Sequence, residues 1–151
     1  MRWLHFLFDF RGRFNRKTFG LLILGYVLYI ALAFSILEFL GSQSLPWVLA
    51  VWFPGALAVV MGTIKRLHDR NRRGWWLLFF AGVPFALGEL GGTLIFAWHN
   101  ADISESIFHL AMYALVIIAN IPLWWGFVEI GFLRGTAGDN RFGPDPLADK
   151  T

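Results

Sequence analysis

Lys65-Arg66-Leu67-His68-Asp69-Arg70-Asn71-Arg72-Arg73-Gly74-Trp75-Trp76 separates two long apolar stretches, and the nature of that separation decides the fold. Before it, residues 45–64 carry no charged side chain; after it, residues 75–98 carry one, Glu89. Two further apolar stretches lie outside these, at 19–40 and 107–133. A helix needs about 20 residues to cross roughly 30 Å of hydrocarbon, and each stretch is long enough. Barrel strands would alternate polar and apolar residues over about ten positions, which these stretches do not do.

The cationic residues sort themselves around these four spans. Arg2, Arg11, Arg13, Arg16 and Lys17 precede the first, Lys65, Arg66, Arg70, Arg72 and Arg73 divide the second from the third, and Arg134, Arg141 and Lys150 follow the fourth. These are all 13 lysines and arginines of the chain. The connections 41–44 and 99–106 have none. Short loops rich in Lys and Arg stay cytoplasmic, so the pattern predicts both termini inside. The expected fold is an all-α integral membrane protein with four transmembrane helices, N-in and C-in. It forms a single membrane domain over 1–151, with cytoplasmic segments 1–18, 65–74 and 134–151.

Composition agrees. Hydrophobic residues make up 57% and charged residues 15%, against roughly a quarter charged in soluble domains. Eight Trp, 16 Phe and 3 Tyr suit a protein with two membrane–water interfaces. With no cysteine, a disulfide framework, a thiolate metal site and a Cys nucleophile are excluded. Met1–Phe10 is too short to span, and Trp3, Leu4, Leu7 and Phe8 fall close on one helical face, which predicts a short interfacial helix. Ala31-Leu32-Ala33 resembles a signal-peptidase site, but the apolar run continues to Leu40, so a retained helix is expected. Pro54, Pro84 and Pro122 fall inside spans, as membrane helices tolerate. Ala58 with Gly62, and Gly88 with Gly92, are small-residue pairs that predict close helix approach. No internal repeat argues for an inverted-repeat transporter.

Three segments carry a pattern: Phe10-Arg11-Gly12-Arg13-Phe14-Asn15-Arg16-Lys17-Thr18-Phe19, the loop quoted above, and Gly138-Asp139-Asn140-Arg141-Phe142-Gly143-Pro144-Asp145-Pro146. In this order between apolar spans they resemble the bacterial inner-membrane family catalogued as domain of unknown function 805. The resemblance covers nearly the whole chain. It departs from the family pattern at Gly20, where an aromatic is usual, and at Arg73, where Ser is frequent. It implies a location in the bacterial inner membrane and supplies no catalytic residue that can be carried over.

The loop and the tail offer the candidate site. Arg forks match phosphate oxygens, His68 titrates near neutrality and Asp69 can orient an arginine. Arg13 and Arg16, three apart, share a face if helical. Pro144 and Pro146 fix a turn that folds the tail back, with Arg141 against an acid such as Asp69. The leading expectation is a non-enzymatic site for anionic lipid headgroups or a partner protein. In it Arg13, Arg16, Arg66 and Arg141 hold the anion, Asp69 and Asp145 hold the arginines, and His68 lies alongside. Membrane lipids are the expected partners, with a homo-oligomer or a protein partner as a further option. Two alternatives stand beside it: a small transporter or channel subunit using Glu89, and a lipid-headgroup enzyme using His68 and Asp69.

Glu89 lies about 20 Å into the third helix among Gly82, Phe85, Ala86, Gly92 and Thr93, and is expected to point inward, toward Asn120 or Tyr113. His99, Asp102, Glu105 and His109 read better as a helix start than as a metal site, so no metal is expected. No cofactor is expected either. Walker, Gly-x-Ser-x-Gly and His-Glu-x-x-His signatures are absent. Nucleic acid is not an expected partner, because the basic groups lie at the membrane.

Overall fold

The structure is a computed structural model, and it describes residues 9–41, 44–98 and 104–148. The interfacial helix expected at the N-terminus falls mostly outside these residues. Four helices are long and apolar enough to cross a membrane, and no strand occurs among the described residues beyond an isolated bridge between Asn140 and Gly143. We label the helices α1 (Arg16–Phe39), α2 (Leu45–Asp69), α3 (Val83–Trp98) and α4 (Glu105–Phe127). A π-helical turn, Leu78–Gly82, leads into α3, and another, Val128–Phe132, extends α4.

Local chemistry sets these boundaries. Asn15 caps α1, its side chain accepting from the Thr18 N–H at 2.9 Å. Pro46 stands in the first turn of α2, where a missing N–H does no harm. Pro54 and Pro122 remain inside continuous helices. Pro84 cannot donate to the carbonyl four residues back, and the widened turn just before it closes instead from the Val83 N–H to the Leu78 carbonyl.

α2 continues past the expected boundary at residue 64 to Asp69, so the basic motif begins on a helix. What stops the helix is Asn71, in the left-handed region at φ 57°. The Arg72 N–H bonds the Leu67 carbonyl at 2.8 Å and the Asn71 N–H bonds the His68 carbonyl at 2.9 Å. That pair of bonds is a Schellman stop with Asn as the left-handed residue.

The chain divides into two compact units. The first takes the residues through Gly74 and those from Leu133 onward; the second is Trp75–Phe132. In the first, α1 and α2 pack antiparallel through small residues. A Cβ on Gly62 would lie 2.1 Å from Leu22, and one on Gly55 2.7 Å from Tyr26. The Tyr29 hydroxyl donates to the Val51 carbonyl at 2.8 Å. In the second, Phe80 lies against Gly126, and Trp98 stacks on Phe108 at 4.5 Å. There the small-residue expectation is corrected: Gly91 meets Met112 and Leu115 of α4, while nothing approaches Gly88 or Gly92. Buried side chains include Arg13, Lys65, Arg66, His68, Asp69 and Glu129, whereas Leu, Ile, Phe and Trp crowd the surface. This inversion of a soluble fold follows when lipid is the solvent.

Candidate functional site

The polar interior of the first unit is organised around Asp69, the last residue of α2. Arg66 lies one turn earlier on the same face and donates from Nη1 to Asp69 Oδ2. Arg13 approaches from the extended lead-in to α1, which is clamped to α2 by a bond from the Phe14 N–H to the Lys65 carbonyl at 3.2 Å. Its Nε and Nη2 both donate to Asp69 Oδ1, at 3.1 and 3.0 Å. The side chains of Arg13, Asp69 and Arg66 are 1%, 4% and 0% exposed.

Two buried guanidinium groups against one carboxylate leave a net positive charge that is costly unless further acceptors surround it. Backbone carbonyls supply them. Arg13 reaches the carbonyls of Thr136 at 2.6 Å, Gly138 at 2.7 Å and Gly143 at 3.3 Å. Arg66 reaches those of Phe14 at 3.4 Å and Leu133. Among the described residues, no buried side-chain nitrogen or oxygen lacks a partner.

The tail docks on the end of α2, whose last carbonyls have no intrahelical donor. The Thr136 N–H and Oγ1 donate to the Asp69 carbonyl at 2.8 and 3.0 Å, and Asn140 Nδ2 donates to the His68 carbonyl at 3.0 Å. Gly135 packs so closely that a Cβ would stand 2.0 Å from Asp69 Oδ2. The turn that follows is tied internally. Asp145 accepts from the Gly138 N–H at 2.8 Å and the Leu147 N–H at 2.9 Å, and its own N–H donates to Asp139 Oδ1 at 3.0 Å. The N–H groups of Leu147 and Gly138 hold the Asp145 carboxyl below its usual pKa.

The His68 ring stacks on Phe142 with centroids 3.9 Å apart and planes within 3°, and its Nδ1 lies 3.3 Å from the Gly12 carbonyl. Over Phe142 lies the Arg141 guanidinium, at 4.7 Å, with Nη2 donating to the Asn71 carbonyl at 2.7 Å. Arg70 donates to the Arg134 carbonyl. Arg16, Lys17, Arg73, Arg134 and Arg141 are exposed. The result is a polar cap with a saturated interior and a cationic outer face.

The model of a family described as "Protein of unknown function (DUF805)" matches residues 7–144. The chain belongs to that family. Two Escherichia coli (strain K12) proteins are similar along most of their length. The uncharacterized protein YiiR is 28% identical over 143 residues, covering 92% of this chain and 86% of YiiR. The inner membrane protein YhaH is 29% identical over 147 residues, covering 91% and 86%. No solved structure matches.

In this member of the family, Arg13, Arg66, His68, Asp69, Arg141 and Asp145 come together in one unit, and Arg16 opens α1 beside Asn15. Their connections differ in two places from those expected. Arg141 pairs with the Asn71 carbonyl, because both Asp69 oxygens are taken by Arg13 and Arg66. Asp145 binds backbone N–H groups rather than an arginine. Sequence reasoning missed Gly135, Thr136 and Asn71. The first two lack any local signature, whereas Asn71 after a basic last turn was a readable stop signal.

Glu89 belongs to the other unit and is exposed on α3, because the helix turns Gly91 toward α4 instead. Asn120 donates to the Val116 carbonyl of its own helix at 2.8 Å, and Tyr113 is exposed. No group of three metal-binding side chains occurs among the described residues, and His99 and Asp102 lie outside them.

Proposed function

We propose that this chain is a bacterial inner-membrane protein whose basic cap faces the cytoplasm and binds anionic lipid headgroups. The observation that supports it most is the shared use of Asp69, which ties the lead-in, the end of α2 and the tail into one body. Three basic segments joined by hydrogen bonds lie on one side of a bilayer, as the positive-inside pattern requires. The name of the relative YhaH supports the inner membrane as the location.

In this reading the site residues divide by task. Arg13, Arg66, Asp69 and His68 build the cap, and Asp145 fixes the tail turn. Arg16 and Arg141, with Lys17, Arg73 and Arg134, face the headgroups, each contributing about 1 kcal/mol near an anionic surface. The alternatives draw no such support: Glu89 has no polar partner among the described residues, and His68 is buried against Phe142.

Native mass spectrometry of the full chain from nanodiscs tests this. Wild type is expected to retain phosphatidylglycerol over phosphatidylcholine, less so as salt rises, with the preference reduced in the double variant Arg16→Ala/Arg141→Ala. Equal retention of the two lipids by wild type refutes the reading.

A further inference from the structure

The outer face of the cap is more than a field of charge, because one of its cations is held in place. We infer that Arg141 forms a discrete site for a single phosphate group, with Phe142 and His68 as the residues that position it. The inference rests on the headgroup-binding reading and names the chemistry of one point within it.

The site is built from the helix stop outward. The left-handed turn at Asn71 ends α2, and the Asn71 carbonyl accepts from Arg141 Nη2 at 2.7 Å. The Arg141 guanidinium lies over the Phe142 ring, 4.7 Å from its centroid, and Phe142 also stacks on the His68 ring at 3.9 Å. His68 is fixed by its place on α2 and by its contact with Gly12 at 3.3 Å. The contacts Gly12–His68–Phe142–Arg141 therefore link a buried histidine to an exposed cation.

A planar cation over an aromatic face is restrained in orientation as well as position. One Nη2 hydrogen goes to Asn71. Among the described residues Nε and Nη1 have no acceptor, so they and the second Nη2 hydrogen remain for a ligand. That leaves a two-point clasp for adjacent oxygens of an oxyanion. An exposed arginine ordinarily loses conformational freedom when it binds; here the stack and the Asn71 bond have already removed much of it. The aromatic beneath also limits a lysine replacement, since an ammonium keeps the charge and loses the planar fork.

The shared chemistry is a phosphate oxyanion, from a lipid headgroup or free in solution. Native mass spectrometry of the full chain with phosphatidylglycerol, with and without millimolar inorganic phosphate, distinguishes the sources. Wild type is expected to hold one phosphatidylglycerol more firmly than the rest. Displacement by inorganic phosphate assigns the site to free phosphate, and retention assigns it to the lipid; either supports the site. Arg141→Lys and Phe142→Leu are expected to weaken that one molecule about tenfold. Phe142→Tyr keeps the stack and restores it. Because Arg141 is exposed, Arg141→Lys is expected to unfold at the wild-type temperature. If wild type prefers phosphatidylglycerol while Arg141→Lys and Phe142→Leu hold it equally well, the discrete site is overturned and the platform stands. If wild type shows no preference, the platform itself fails.

Discussion

Gly135→Ala adds one methyl group, and the structure makes it one of the most damaging changes available in the cap. Gly135 does not occupy the left-handed region, so its backbone accepts alanine and the effect is steric. A Cβ there would stand 2.0 Å from Oδ2, 2.6 Å from Cγ and 2.8 Å from Oδ1 of Asp69. Carbon contacts are comfortable at about 3.5 Å or more, so the carboxylate must retreat by more than about 1 Å or the tail must lift. The carboxylate is held from two sides by Arg13 and Arg66, and the tail carries the carbonyls that complete Arg13. Either movement breaks a buried ion pair, at about 3–5 kcal/mol, comparable to Asp69→Ala itself. In an Asp69→Ala background the three atoms the methyl would meet are gone, so Gly135→Ala should then cost under about 0.5 kcal/mol. Equilibrium unfolding of the four proteins in mixed detergent micelles, followed by circular dichroism, measures the cycle. Single effects that add in the double variant, or a Gly135→Ala protein as stable as wild type, would refute the steric account.

Three further outcomes follow from named contacts. Because the folded state lowers the pKa of Asp145, its stabilisation of the tail turn is complete above the unfolded value of 3.8 and is lost as pH falls below that toward the folded value. Protection factors for amide exchange at Gly138 and Leu147, compared at pH 6 and pH 3, should be reduced at the lower pH, and Asp145→Asn should abolish the difference. At Asn71, glycine should be tolerated within about 0.5 kcal/mol and valine should cost about 1–2 kcal/mol, since only the latter resists φ 57°. Gly62→Leu should separate α1 from α2, because even a Cβ meets Leu22 at 2.1 Å. A disulfide between engineered cysteines at Tyr26 and Gly55 should then form more slowly than in the parent.

The spans were legible because crossing hydrocarbon demands length and apolarity and little else, and residues 19–40, 45–64, 75–98 and 107–133 announce both. That Arg13, Asp69 and the tail meet was legible only as an expectation of proximity. The partner of each arginine was not, since Asp69 has room for two guanidinium groups and sequence cannot rank three competitors. Rotation of α3 was hidden for a related reason. Gly88, Gly91 and Gly92 are equally small, and which one faces α4 depends on where Met112 and Leu115 find space. The π-helical turns have no compositional mark, although Pro84 hinted at the first.

Asp69 draws its partners from opposite ends of the polypeptide. During synthesis Arg13 emerges first and Asp69 some fifty residues later, but Thr136 and Gly138 appear only after α4 has been made. Until then the ribosome-bound intermediate holds an arginine pair of whose carbonyl acceptors only that of Phe14 exists. Closure of the cap is accordingly a late event in biogenesis, and a premature stop codon between positions 136 and 143 should leave all four helices in place with the cap unsealed.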